Sequence, residues 1–97
     1  MFAVIFKAVV AEQDEKYGQT VDKMRTLAFE KYACLDFISY TEGKREIAIS
    51  YWESEESIVN WKNDAEHLLA QELGRAQWYE SYDVEVLEVK RHYSFGK

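Results

Sequence analysis

The sequence predicts an α+β fold of the ferredoxin-like type, with elements in the order β, α, β, β, α, β and a four-stranded antiparallel sheet. Three patterns predict it: a β-branched and aromatic run at the start, two stretches with apolar residues at helical spacing, and two strand-like runs joined by a short loop with a glycine. Short right-handed connections place both helices on one face of the sheet. We expect residues 1–97 to form a single domain of this kind.

The first strand is predicted over Phe2–Val10 and the first helix from about Asp14 to Ala33. The strand is rich in β-branched and aromatic residues on both of its faces, and Lys7 is its one charged residue, so both faces need cover. In the second segment the spacing changes to that of an amphipathic helix, with apolar residues at Tyr17, Val21, Met24, Ala28 and Tyr32.

A β-hairpin is predicted next. Its strands are Cys34–Thr41 and Arg45–Trp52, both of which contain β-branched and aromatic residues. The loop Glu42–Lys44 between them contains Gly43, which can adopt a positive φ without a steric cost. We therefore expect these two strands to be neighbours in the sheet.

The rest of the chain predicts a second helix and a last strand. Ser54 offers its side-chain oxygen as N-cap of the helix, and Gly74 is its expected end. The last strand is expected over Asp83–Arg91, with a one-residue change of phase within it. One helical turn after the glycine would bring Trp78 and Tyr82 to the same side, where they would close one end of the core or, as the favoured alternative, contact a partner subunit.

Composition excludes several classes of function. The chain has 18 acidic and 12 basic residues, and its formal charge of −6 would repel the phosphates of a nucleic acid. The apolar run at the N-terminus contains Lys7 and is shorter than the roughly 20 residues that cross a bilayer, so no membrane partner is expected. The one cysteine, Cys34, is expected to be a small buried side chain in a cytoplasmic protein.

The predicted strands carry apolar side chains on both sides, although two helices can cover only one face of the sheet. The chain is 47% hydrophobic and 15% aromatic, which is more than 97 residues can readily bury in one small core. A second copy packed against the other face is the simplest cover, so the sequence predicts a homodimer through the sheet face.

The sequence resembles the antibiotic biosynthesis monooxygenase domain family of the dimeric α+β barrel superfamily. The resemblance covers residues 2 to about 93, and its specific part is a run of Trp61, Lys62, His67, Ala70, Gln71, Gly74, Arg75, Trp78 and Tyr79. It implies a dimeric α+β barrel in which each protomer has a cavity between helices and sheet, sized for a flat polycyclic molecule. Members of the family oxygenate such aromatic molecules without metal or cofactor, or they oxygenate heme, which supplies its own iron.

This resemblance and the chemistry of the side chains indicate a small set of candidate site residues. The catalytic candidates are His67 and Trp61, and the substrate-binding candidates are Trp61, Gln71, Phe6 and Met24. His67 has a reference pKa of about 6.5 and would accept a proton, whereas Trp61 would donate a hydrogen bond to the substrate or simply pack in the core. An unbroken helix turns His67 toward solvent, and a break near Asn63 would turn it toward a cleft. No metal site and no cofactor are expected.

The sequence is also compatible with two other functions. The heme-degrading branch of the family places an Asn on the first strand and an iron-binding His about ten residues after a helical Trp. Trp61 matches the Trp, but Gln71 stands ten residues later and the strand offers Phe6 and Lys7, which disfavours heme as substrate. The alternative is a non-catalytic dimeric module that binds a small aromatic ligand, because no familiar catalytic set is present.

Overall fold

The structure is a computed structural model that describes residues 1–71 and 77–97. Its six elements are β1 (Phe2–Val10), α1 (Glu15–Tyr32), β2 (Asp36–Glu42), β3 (Arg45–Trp52), α2 (Glu55–Gln71) and β4 (Tyr79–Glu88). The strands form one antiparallel sheet in the order β2-β3-β1-β4. The predicted ferredoxin-like βαββαβ fold is therefore confirmed.

Side chains and backbone at the helix ends explain where the helices begin and stop. Asp14 is the N-cap of α1, and its Oδ1 accepts a hydrogen bond from the Tyr17 backbone N–H at 3.0 Å. Ala33 ends the helix in the left-handed region at φ 54°, and the N–H of Cys34 closes the turn on the carbonyl of Ala28. Ser54 caps α2 as predicted, at 3.2 Å from the Ser57 N–H.

Two further local predictions have different outcomes. Gly43, in the hairpin turn between β2 and β3, has a φ of 59°, as predicted. Gly74, the expected end of α2, lies outside the described residues, which follow this helix as far as Gln71.

The side of the sheet that faces the helices carries two hydrophobic clusters, each centred on a buried tryptophan. Trp52, with no exposed surface, packs with Val4, Ala28, Cys34 and Ile58, and its indole N–H donates to Ser50 Oγ at 2.8 Å. Cys34 is thus the small buried side chain that the sequence predicted.

The second cluster lies at the other end of the same layer. Trp78, which is 1% exposed, packs with Ala8, Val10 and Tyr79. The N–H of its indole donates to Asp14 Oδ1 at 3.1 Å. Each tryptophan therefore buries its ring while its one polar atom keeps a partner.

The opposite side of the sheet, called here the outer face, carries the side chains of Ile5, Ile38, Tyr40, Ile47, Ile49 and Leu87. Ile5 is paired with Ile49, and Ile49 with Ile38, so these three isoleucines form a row across β1, β3 and β2. Tyr40 is 73% exposed and Ile47 is 44% exposed in the single chain. The predicted second apolar face is present in the fold.

The structure corrects the prediction for the end of the chain. β4 begins at Tyr79 rather than Asp83, so Tyr82 lies in a strand and not in a helical turn with Trp78. Both side chains pack in one cluster inside the chain, and Trp78 is too deeply buried to touch a partner subunit. The expected change of phase within the strand was also misplaced. The register shifts opposite Val9 and Val10, which turns Tyr79 toward the core.

Candidate functional site

A cavity of about 450 Å³ lies between the two helices and the helix-facing side of the sheet. It exists because Ala48 and Ser50 of β3 and Ser39 of β2 form part of its lining, and these small side chains leave room beneath the helices. Its volume falls within the range of about 300–1,000 Å³ that is typical of ligand pockets. The cavity therefore has room for a small organic molecule inside a single chain.

Aromatic rings form one wall of the cavity. Trp61 of α2 lies 5.3 Å from Trp52 and 6.0 Å from Phe37, measured between ring centroids. Its indole N–H donates to the backbone carbonyl of Met24 at 2.8 Å, which ties α2 to α1. The Arg25 guanidinium lies 5.8 Å from the centroid of the Phe37 ring. The ring of Trp61 is thus fixed in place, with its one donor engaged by the protein.

A group of tyrosines with one carboxylate forms another part of the site. The Tyr17 hydroxyl donates to Glu46 Oε2 at 2.5 Å, and both side chains are half-buried. The Tyr17 ring lies 6.0 Å from the ring of Tyr79, and Phe6 lies 5.5 Å from Tyr79 and 5.3 Å from Tyr82. Glu46, Tyr79, Tyr82 and Phe6 all line the cavity. We call Glu46, Tyr17, Tyr79 and Tyr82 the acid corner.

Burial decides the protonation of the tyrosines in the acid corner. Desolvation, followed by the hydrogen bond to Glu46, raises the pKa of Tyr17 well above its ordinary range. Burial likewise raises the pKa of Tyr79 to about 12. Both hydroxyls therefore keep their protons at neutral pH, and Tyr17 acts as a hydrogen-bond donor to the carboxylate.

The structure places His67 outside this cavity. Helix α2 runs without interruption through Asn63, so the break that would have turned the histidine inward does not occur. His67 is exposed, whereas Trp61 and Ala65 of the same helix line the cavity. Of the two alternatives for His67, the structure shows the unbroken helix with His67 exposed, and its role as a proton acceptor stays a prediction.

Helix α2 is instead tied to α1 through Asp64. Its carboxylate accepts hydrogen bonds from the Tyr32 hydroxyl and, at 3.4 Å, from the Lys31 ammonium group. The bond from Tyr32 is the main reason why the pKa of Asp64 is lowered. These contacts link α2 to α1.

The structure describes the side-chain positions of three of the four substrate-binding candidates. Phe6, Met24 and Trp61 line the cavity, and their roles toward a substrate stay predictions. The N–H of Trp61 is bonded to Met24, so in this conformation it cannot also donate to a substrate oxygen as expected. Gln71 is the last residue of α2, and its side chain lies outside the described part of the chain.

Sequence reasoning did not identify Glu46 and Tyr17. A weak signal was available, because Glu46, Ala48, Ser50 and Trp52 occupy alternate positions of one predicted strand and must share a face. Buried Trp52 shows that this face is the inner one. A glutamate on an inner face beside two small residues indicates a polar cavity rather than a filled core.

Within residues 1–71 and 77–97, no group of three or more His, Cys, Asp and Glu side chains is arranged to hold a metal ion. In the same part of the chain, neither helix has the length and apolar character that would cross a membrane.

Comparison with known proteins agrees with this architecture. No family model matches the chain. The YqjZ protein of Bacillus subtilis is 42% identical to it over 95 residues, a match that covers 97% of this chain and 83% of YqjZ. The chain belongs to the YqjZ family. The family relationship extends over both helices and all four strands.

More distant proteins identify the fold of this YqjZ relative. Jasmonate monooxygenase ABM of Pyricularia oryzae is 31% identical over 93 residues, which cover 92% of this chain but only 43% of that protein. A variant of SnoaB, a cofactor-independent oxygenase from Streptomyces nogalater, superposes with a TM-score of 0.73 over 94% of both chains at 8% identity. A solved antibiotic biosynthesis monooxygenase superposes with a TM-score of 0.63, at 14% identity, over 94% of this chain and 100% of its own. The resemblance to this domain family is confirmed.

Proposed function

We propose that this YqjZ relative is a monooxygenase that oxidises a flat aromatic or polycyclic substrate with dioxygen, without a cofactor of its own. The observation that carries the proposal is the cavity of about 450 Å³, with the Trp61 ring on its wall and the Glu46 carboxylate in its lining. Such a space suits an apolar ring system that carries an acidic hydrogen. The similar jasmonate monooxygenase and the cofactor-independent oxygenase SnoaB support an oxygenase.

The proposed reaction needs only a proton acceptor, dioxygen and a dry site. A substrate C–H loses its proton, and the carbanion passes one electron to dioxygen. The two radicals then combine in a new C–O bond, and the peroxide takes up a proton. Loss of water, with the second hydrogen of the same carbon, leaves a carbonyl group. One oxygen atom enters the product and the other leaves in water, so no external reductant is required.

The assembly in this proposal is a homodimer formed through the outer face. Ile38, Ile47 and Tyr40 are exposed on this face in the single chain, and a second copy would remove them from water. Lys7 and Glu85, whose charged atoms lie 3.1 Å apart, give the same face a paired charge. A cytoplasmic location is also proposed, because the one cysteine, Cys34, is a buried free thiol, which fits a reducing compartment.

Turnover of anthrone, a flat tricyclic ketone with an acidic methylene group, tests the proposed function. The purified protein is incubated with anthrone and ¹⁸O-labelled dioxygen, with no added metal, flavin or nicotinamide. We expect anthraquinone with one labelled oxygen atom, at a rate well above that of anthrone in buffer. Product formation no faster than in buffer, although the protein binds anthrone, would contradict the oxygenase proposal.

A non-catalytic ligand-binding module is the second candidate, and two observations favour it. His67 lies outside the cavity lining, and the Trp61 N–H is bonded to Met24, so neither a histidine nor the indole N–H is available to a ligand in the cavity. This function predicts that anthrone quenches tryptophan fluorescence in a saturable manner without being converted. The two candidates are thus separated by product analysis on the same sample.

A further inference from the structure

Three acidic residues line the cavity, and Glu46 differs from the other two in its surroundings. Glu66 belongs to α2 and Asp83 is an exposed residue of β4. Glu46 lies on β3, opposite buried Ala8 of β1, on the side of the sheet that faces the helices. Its carboxylate is therefore attached to the rigid floor of the site, where it can meet a ligand that lies on the sheet.

Tyr17 holds this carboxylate in a defined position. Its hydroxyl donates to Glu46 Oε2 at 2.5 Å, and its ring is fixed by Trp78, at 5.5 Å and nearly perpendicular, and by Tyr79. The backbone of Tyr17 is itself anchored in the first turn of α1 by the cap residue Asp14. A charged oxygen with a fixed donor loses little further freedom when a substrate binds, which favours reaction.

We propose that Glu46 is the proton acceptor of the oxygenase reaction and that Tyr17 is its positioning residue. This inference rests on the proposed function and deepens it, because it defines the substrate as a flat ring system with an acidic C–H at one edge. The ring lies between the sheet floor and the Trp61 wall, and its acidic edge points toward the acid corner.

The proton step balances without any further reagent. The C–H bond of the substrate breaks, its proton forms an O–H bond with the Glu46 carboxylate, and the electron pair stays on the substrate as a delocalised carbanion. Dioxygen then oxidises this carbanion as described above, and the proton on Glu46 is available to the peroxide. An aspartate carboxylate in ketosteroid isomerase serves as the base toward a carbon acid, so a carboxylate is suited to this step.

Hydrogen–deuterium exchange of anthrone under strictly anaerobic conditions isolates the proton step. Anthrone is incubated with the protein in D₂O, and loss of the methylene proton signal is followed by NMR. We expect the wild type to accelerate exchange above the rate in buffer, and Glu46→Gln to lower this acceleration by about 10²–10⁴-fold. Glu30→Gln removes an exposed acid from α1 and is the matched control, with exchange as in the wild type.

Tyr17→Phe tests the positioning role, because it removes only the hydroxyl and keeps the ring contacts. Loss of the donor leaves the Glu46 carboxylate free to rotate away from the substrate. We expect slower exchange at saturating anthrone, while the anthrone concentration that gives half of the maximal rate stays as in the wild type. A purely structural role would weaken anthrone binding as well, and that result would overturn the role of Tyr17.

The outcomes separate the two proposals. Unchanged exchange in folded Glu46→Gln, with aerobic conversion of anthrone intact in the wild type, overturns Glu46 as the acceptor and leaves the oxygenase function standing. No exchange and no conversion by the wild type overturns both. Circular dichroism checks the fold of each variant. If Glu46→Gln fails to fold, Glu46→Asp replaces it. Its carboxylate lies one methylene group farther from the substrate, so exchange must be slower for the proposal to hold.

Discussion

The two faces of the sheet are made of similar apolar side chains but differ in what covers them. On the side toward the helices, Trp52 has no exposed surface and Ile58 of α2 packs against it with 4% exposed. On the outer face, Ile47 and Tyr40 remain 44% and 73% exposed. The chain's own helices account for the first face only. Apolar side chains that a single chain leaves uncovered indicate a contact with another molecule.

The faces also differ in their polar groups. The helix-facing side contains hydroxyl and carboxylate groups with partners inside the chain, such as Tyr17 with Glu46. Within residues 1–71 and 77–97, every buried side-chain nitrogen or oxygen atom has a hydrogen-bond partner. The outer face has its isoleucine row and the ion pair between Lys7 and Glu85. By our proposals, the inner side carries the chemistry and the outer side makes the subunit contact.

The largest effect is expected on the helix-facing side. Trp52→Ala removes a fully buried ring and its hydrogen bond to Ser50, so we expect the free energy of unfolding to fall by about 3–5 kcal/mol. Val59→Ala, at a position on α2 that is 55% exposed, should change it by no more than about 0.5 kcal/mol. Urea denaturation at equal protein concentration measures both. Similar losses in the two variants would contradict the assignment of Trp52 to the core.

The next effect concerns the outer face. Ile47→Asp places a charge where we propose that a second copy packs, so the dimer dissociation constant should rise at least about a hundredfold. Sedimentation at micromolar concentration should then change from twice the chain mass of 11.5 kDa to the single-chain mass. Val59→Asp introduces the same charge on α2 and should leave the mass unchanged. A wild type that sediments as one chain would contradict the proposed dimer.

The smallest effect concerns the contacts of Asp64 that link α2 to α1. The hydrogen bond from Tyr32, and then Lys31, lowers the pKa of Asp64 in the folded chain. A lowered folded-state pKa means that this contribution to stability is complete above the unfolded value of about 3.9 and is lost as pH falls below it. Asp64→Asn should therefore show a weaker dependence of its melting temperature on pH between about 4 and 2. If the melting temperatures of variant and wild type fell equally between about pH 4 and 2, the stabilising role of the Asp64 carboxylate would be contradicted.

The order of the elements could be predicted because strong local signals agree with the fold. Alternation over Phe2–Val10 and the Ser54 cap lead to elements that the structure contains. The start of β4 could not be predicted, since Tyr79 and Tyr82 stand among polar residues and the register shift opposite Val10 interrupts the alternation. That shift depends on pairing with β1, which is far away in the sequence.

The acid corner could not be predicted from the sequence for a different reason. In β3 the larger apolar side chains, Ile47 and Ile49, point to the outer face, and the smaller Ala48 and Ser50 point to the helices. Hydrophobicity alone would assign the isoleucines to the core and Glu46 to solvent. In the structure Glu46 instead faces the helices, because it shares one face of β3 with buried Trp52 and with the small residues that line the cavity. By contrast, the exposed position of His67 follows directly from its place on an unbroken helix.

By our proposal, the cavity under the helices, and not the outer face, receives the small aromatic molecule. The chain has five isoleucines: four of them, Ile5, Ile38, Ile47 and Ile49, lie on the outer face, and Ile58 lines the cavity. Methyl NMR of isoleucine-labelled protein, titrated with anthrone without oxygen, therefore distinguishes the two sides. We predict a saturable shift of the Ile58 methyl signal while the other four stay in place. Shifts of the four outer signals with Ile58 unchanged would show instead that the outer face binds the molecule.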